Sequence, residues 1–161
     1  MASCGTYQAR FGSPAWPILG LVGGVVLALG YQLLAKTVWP YDQIKDSFHL
    51  AEGETVNLLL FSAIAIAAAF FEELYYRGLI YPVLRRWIGV VGAMAIVTIW
   101  FGAVHLFSYY RAPLAMLTVT SLGLMAVMLR QFSRSVVPAI AAHLAYNGTV
   151  VVVVWIAARL A

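Results

Sequence analysis

The chain has 161 residues, room for one domain and too few for two substantial ones. It is 63% hydrophobic and 10% charged, with a mean hydropathy of +0.90. A soluble domain carries about 25% charged residues, so this composition is that of an integral membrane protein and excludes an ordinary soluble enzyme. The net charge of +4 comes from ten scattered Lys and Arg with no basic-aromatic patch, so no nucleic-acid partner is expected. Cys4 is the single cysteine, which excludes an intrachain disulfide and a thiolate metal site.

Five apolar spans of ~20 residues can be drawn. The first covers residues 17–34. Arg10 precedes it and Ala28-Leu29-Gly30 is a small-x-small site, but the apolar run is longer than a signal-peptide core and continues past it. A retained span is expected over a cleaved leader. Gly20-x-x-x-Gly24 suits close helix packing, within the chain or in a homo-oligomer. The connector 36–54 holds Asp42, Asp46, Glu52 and Glu54 and reads as a solvated amphipathic loop, with His49 incidental to it.

The second span covers residues 55–86, the third 88–106, the fourth 112–129 and the fifth 136–158. Thr118, Thr120 and Ser121 read as helix-packing hydrogen bonders. Trp16, Trp39, Tyr41, Trp87, Tyr109 and Tyr110 fall at span ends, where interfacial aromatics belong. With the N-terminus inside, Arg10, Arg85, Arg86, Arg130 and Arg134 are cytoplasmic, against Lys36, Lys45, Arg111 and Arg159 outside. Five against four is a weak positive-inside bias. The expected fold is an all-α polytopic transmembrane bundle of about five spans. Residues 1–54 would form an N-terminal segment with one span and the acidic loop, and residues 55–161 a four-helix core.

Few strongly polar residues lie at membrane depth: Glu72, Glu73, Arg77, His105, His143 and Asn147, with Gln32 and Asn57 less placed. A charge at the bilayer centre costs roughly 3 kcal/mol or more unless paired or hydrated, so these are functional candidates by default. Glu73 and Arg77 are four apart and share a helix face, as do His143 and Asn147; His105 follows Phe101 by the same interval.

Depth discriminates further. A second span ending at Arg77 would leave Glu72 near one surface and His105 ~25 Å away at the other. A helix continuing to Arg85 and Arg86 lifts Glu72 ~20 Å above that boundary, level with His105, while His143 and Asn147 lie ~10–17 Å up the fifth span. One site at mid-depth therefore requires the long second helix. Pro82 would kink it and free the carbonyl of Gly78. A purely structural network is the competing reading, since a Glu73–Arg77 pair can exist only to neutralise its own burial. That reading weakens when two histidines, two carboxylates and an asparagine on three helices can meet at one depth.

Glu72-Glu73-x-x-x-Arg77, Phe101-x-x-x-His105 and His143-x-x-x-Asn147 resemble, in order, the three motifs of the CAAX-protease and bacteriocin-processing (CPBP, Abi) membrane proteins. The flanks fit as well: Arg77-Gly78-Leu79 with Arg85-Arg86, and Phe101-Gly102-Ala103-Val104-His105-Leu106. The resemblance covers residues 56–152, and larger members carry about eight membrane helices.

The resemblance implies a glutamate-type intramembrane endopeptidase with a catalytic core at 55–161. Glu72 with His105 would activate water, and His143 with Asn147 would stabilise the oxyanion. Glu73, Arg77 and Phe101 would support them. Arg77 would hold Glu73 ionised, leaving Glu72, off its face, as the carboxylate free to take a proton. No cofactor and no metal are implied. The implied partners are the lipid bilayer and a membrane-associated peptide or protein: a prenylated CAAX protein, a bacteriocin precursor or a C-terminal sorting tail. The small size points to a bacterial cytoplasmic membrane. Three alternatives stay open. Glu72, His105 and His143 could form a His₂Glu zinc site, although HExxH is absent. The chain could also be a non-enzymatic immunity or partner-binding protein, or an ion carrier using buried Glu and His.

Overall fold

The structure, a computed structural model, describes residues 13–38 and 55–160. Cys4, Arg10, residues 39–54 of the acidic connector with His49, and the aromatics Trp39 and Tyr41 lie outside the described residues, as does the boundary drawn at 54. Residues 36–38, expected in that loop, continue the first helix. Helices α1 (Ala15–Val38) and α2 (Thr55–Glu73) are followed by a π-helical segment (Leu74–Ile80). Then come α3 (Tyr81–Tyr109), α4 (Pro113–Ser133) and α5 (Val137–Leu160). No strand occurs among the described residues.

Four helical stretches among the described residues, against the five spans expected, are long and apolar enough to cross a membrane: Ala15–Ala35, Leu58–Tyr109, Pro113–Ser133 and Val137–Ala157. The difference lies in Leu58–Tyr109, a continuous run of 52 residues in which the expected second and third spans are joined. A straight helix of that length would measure ~78 Å, more than twice the ~30 Å hydrocarbon core. It is not straight. Gly89 has φ 76° and ψ −179°, a conformation open essentially only to glycine, and the chain doubles back there. Arg77 lies twelve residues before Gly89 and Phe101 twelve after, and the guanidinium sits 4.5 Å from the Phe101 ring centre. Tyr81 and Val97, eight residues on either side, share the same buried cluster.

The reversal at Gly89 is separate from the kink expected at Pro82. Pro82 sits at the start of α3 without breaking the run, because the preceding segment has slipped into π register, Tyr81 N–H bonding the carbonyl of Tyr76. In that register Pro82 would be the donor to the carbonyl of Arg77 and has no N–H to give. Arg130 Nε, from α4, donates to that carbonyl at 3.2 Å. Tyr81 adds a second tie, its hydroxyl bonding Gln131 Oε1 at 2.6 Å.

Helix α1 packs along α5 through Gly20 and Gly24, where any Cβ would strike the carbonyls of Pro138 and Ala142. The Gly-x-x-x-Gly pattern is thus used inside the chain. Large apolar side chains such as Leu33, Phe71, Leu79, Trp87, Phe107 and Leu117 face outward, which a lipid-facing surface permits and water would not. Thr118, Thr120 and Ser121 do not bridge helices as expected; each hydroxyl bonds the carbonyl four residues earlier in its own helix.

Candidate active site

The π segment begins immediately after Glu73, and its widened turn carries Glu73, Tyr76 and Arg77 inward. Glu73 and Arg77 are both 0% exposed. Two charges removed from water to that degree need close partners. Arg77 Nη1 donates to Glu73 Oε1 at 2.9 Å, and Nη2 donates to the carbonyl of Gly123 at 2.7 Å. The guanidinium face rests on Phe101, with Tyr76 5.7 Å away. Gly123 makes room for this: a Cβ there would lie 2.8 Å from the Phe101 ring and 3.4 Å from Arg77 Nη2.

The carboxylate serves a second donor. His143 Nδ1, on α5, lies 2.9 Å from Glu73 Oε1. With that carboxylate ionised the contact is an N–H donation, which fixes the proton on Nδ1 and turns Nε2 away from the pair. Phe101 packs edge-on against the same imidazole, with ring centres 5.7 Å apart. Glu73, Arg77, Phe101 and His143 therefore form one buried unit.

Beside that unit lies a cavity of about 270 Å³. Glu72, His105, His143 and Asn147 all line it, brought from α2, α3 and α5. His105 Nδ1 is 2.8 Å from the carbonyl of Phe101. A carbonyl only accepts, so Nδ1 carries a proton, and in the neutral imidazole Nε2 is the acceptor. Asn147 Nδ2 donates to the carbonyl of Ala65 at 2.7 Å, which uses one of its two N–H groups. Glu72 Oε2 has no hydrogen-bond partner among the described residues. Glu73 Oε2 is likewise without a partner; what separates the two glutamates is that Glu73 Oε1 is held by Arg77 and His143, whereas Glu72 lines the cavity.

All seven residues singled out from sequence are brought to this region. The zinc alternative is not gathered: among the described residues no group of three His, Cys, Asp or Glu side chains could hold a metal ion. Four further polar residues line the cavity that sequence reasoning did not assign to a site: Tyr31 and Gln32 of α1, Tyr109 of α3 and Tyr146 of α5. Signals existed for three. Gly20, Gly24, Ala28 and Tyr31 recur at helical spacing on the face that meets α5, and Tyr146 is three residues beyond His143 on one face. Gln32 stood out as polar at depth. Tyr109, read as an interfacial aromatic, instead stacks on His105 with the ring planes 9° apart.

A family model described as type II CAAX prenyl endopeptidase Rce1-like matches residues 54–149, which include all seven residues of the two adjoining groups. A search of curated proteins and one of solved structures each found no match. The matched stretch spans more than half of the chain and contains the buried pair, both histidines and the asparagine, and the chain belongs to the Rce1-like family of type II CAAX prenyl endopeptidases, a family of membrane proteases.

Proposed function

We propose that this chain is a glutamate-type intramembrane endopeptidase that hydrolyses a peptide bond of a membrane-associated peptide or protein. One observation carries the reading: Glu72 and His105, 33 residues apart on two helices, line a single cavity with His143 and Asn147 from a third.

Glu72, which lines the cavity, takes a proton from water. His105 Nε2 accepts the water's second O–H and orients it. The water oxygen bonds to the substrate carbonyl carbon, and the displaced π pair moves onto the carbonyl oxygen. The free N–H of Asn147 and Nε2–H of His143 receive that oxyanion. His143 can donate from Nε2 when it carries both protons, and the site then holds two carboxylates against two cations. The oxyanion collapses, the C–N bond breaks, and the proton held by Glu72 passes to the departing amine. Atoms balance with water as the only co-reactant.

The test is cleavage by purified protein in proteoliposomes of a farnesylated peptide ending in Cys-aliphatic-aliphatic-Ser. A precursor peptide and a sorting-tail peptide serve as alternative substrates. Wild type should cleave at least one of them. Glu72→Ala and His105→Ala should each lose about 10²–10⁴-fold, the usual contribution of a general acid–base group. Full cleavage by both alanine variants overturns the reading.

A further inference from the structure

The family match begins at residue 54 and so leaves out α1, yet α1 supplies Tyr31 and Gln32 to the cavity wall. Tyr109 and Tyr146 complete the polar lining outside the proposed catalytic set. The three phenols line the same cavity as Glu72. None of the three hydroxyls has a hydrogen-bond partner among the described residues. Tyr146, 7% exposed, lines the cavity, where a ligand can reach it. The rest of the same wall, including Phe61, Ile64, Ala65, Ala68, Val150 and Val153, is apolar.

A peptide bond inside a membrane helix has its carbonyl and N–H occupied by the helix ladder. It becomes open to attack only when the segment is extended, and each group so released needs a new partner in low dielectric. The cavity offers three phenolic donors and one amide within an otherwise largely apolar lining. From this we infer that Tyr31, Gln32, Tyr109 and Tyr146 form a substrate subsite that binds the main chain of an extended apolar peptide. The phenol O–H groups donate to its carbonyls, and its side chains lie on the apolar wall. Helix α1 is then part of the specificity apparatus. The inference rests on the protease reading and deepens it.

The probe is the farnesylated Cys-aliphatic-aliphatic-Ser peptide carrying a fluorophore, with binding read by anisotropy on Glu72→Gln protein in nanodiscs. Tyr31→Phe, Tyr109→Phe and Tyr146→Phe each remove one hydroxyl and leave the ring in place; a thermal melt checks that each variant is folded. Each is expected to weaken Kd about three- to tenfold, the span of one neutral hydrogen bond. A peptide with an ester in place of the contacted amide, a poorer acceptor, should show less than a twofold effect of the same variant. Unchanged Kd in all three variants overturns the subsite even if Glu72-dependent cleavage is observed. Hydroxyl-dependent binding with no cleavage of any of the three peptides by wild type sustains the subsite and overturns the protease reading. Failure of the peptide to bind overturns the assigned ligand class.

Discussion

His143 Nδ1 and Arg77 Nη1 meet the same oxygen of Glu73, each at 2.9 Å. One carboxylate oxygen thus fixes the imidazole that faces the cavity and neutralises the cation beneath it. The orientation of His143 is set by a pair that does not itself line the cavity. Removing one member of a buried ion pair strands the other, at a cost of about 3–5 kcal/mol.

Glu73→Gln should therefore lower stability by about that amount, and Arg77→Met by a similar one. Combined, the two should destabilise by clearly less than their sum, since neither leaves an orphan charge for the other to suffer from. Thermal unfolding of the two single variants and the double variant in detergent measures the coupling. Simple additivity would show that the pair does not act as a unit.

The carbonyl of Arg77 gives a sharper test, because its missing partner can be restored from either side. Arg130→Met removes the only side-chain donor found at that carbonyl among the described residues and should cost about 1–3 kcal/mol. Adding Pro82→Ala supplies a backbone N–H in π register. The double variant should recover more than half of the loss. No recovery would mean that Arg130 acts through charge or packing and not as a surrogate for the absent ladder donor.

Gly123 is the point where α4 yields to the buried arginine. A Cβ there would meet the Phe101 ring at 2.8 Å and the guanidinium at 3.4 Å. Overpacking of this kind costs about 1–3 kcal/mol. Gly123→Ala should lower the melting temperature accordingly. It should also reduce cleavage by shifting Phe101, whose carbonyl holds His105. A variant with unaltered stability would show that Phe101 yields without penalty.

How much of this was legible in the chain follows from the range of each interaction. The Glu73–Arg77 contact is local, and the i,i+4 spacing announces it. Level placement of Glu72 and His105 follows from counting 1.5 Å per residue along a long second helix, an argument that needs only the approximate position of the reversal. The π register was not legible. Pro82 declares that one donor is missing, but which carbonyl is orphaned depends on a slip that only the packed structure selects. Arg130, 53 residues from Arg77 in sequence, carries no local sign of its partner. Tyr109 was misplaced because an aromatic at a helix end looks the same whether it faces headgroups or a cavity. Glu73's bond to His143, 70 residues away, was likewise invisible to spacing.

Gly89 and Gly30 form a matched pair for the last prediction. At neither does a surrounding atom lie within 4 Å of where a Cβ would stand, so alanine meets no packing clash at either. Gly30 lies within helix α1, where alanine is worth about 0.5–1 kcal/mol over glycine, and Gly30→Ala should be neutral or mildly stabilising. Gly89, at φ 76° and ψ −179°, occupies a region essentially closed to other residues, and Gly89→Ala should cost about 1–3 kcal/mol. The reversal at Gly89 is also what lays Phe101 on Arg77, so the same substitution should reduce cleavage while Gly30→Ala leaves it intact. Paired thermal melts and proteoliposome cleavage assays read both effects. Equal behaviour of the two variants would mean that the hairpin tolerates another backbone geometry, and that the level of Phe101 and His105 is set by packing on α4 instead of by the turn.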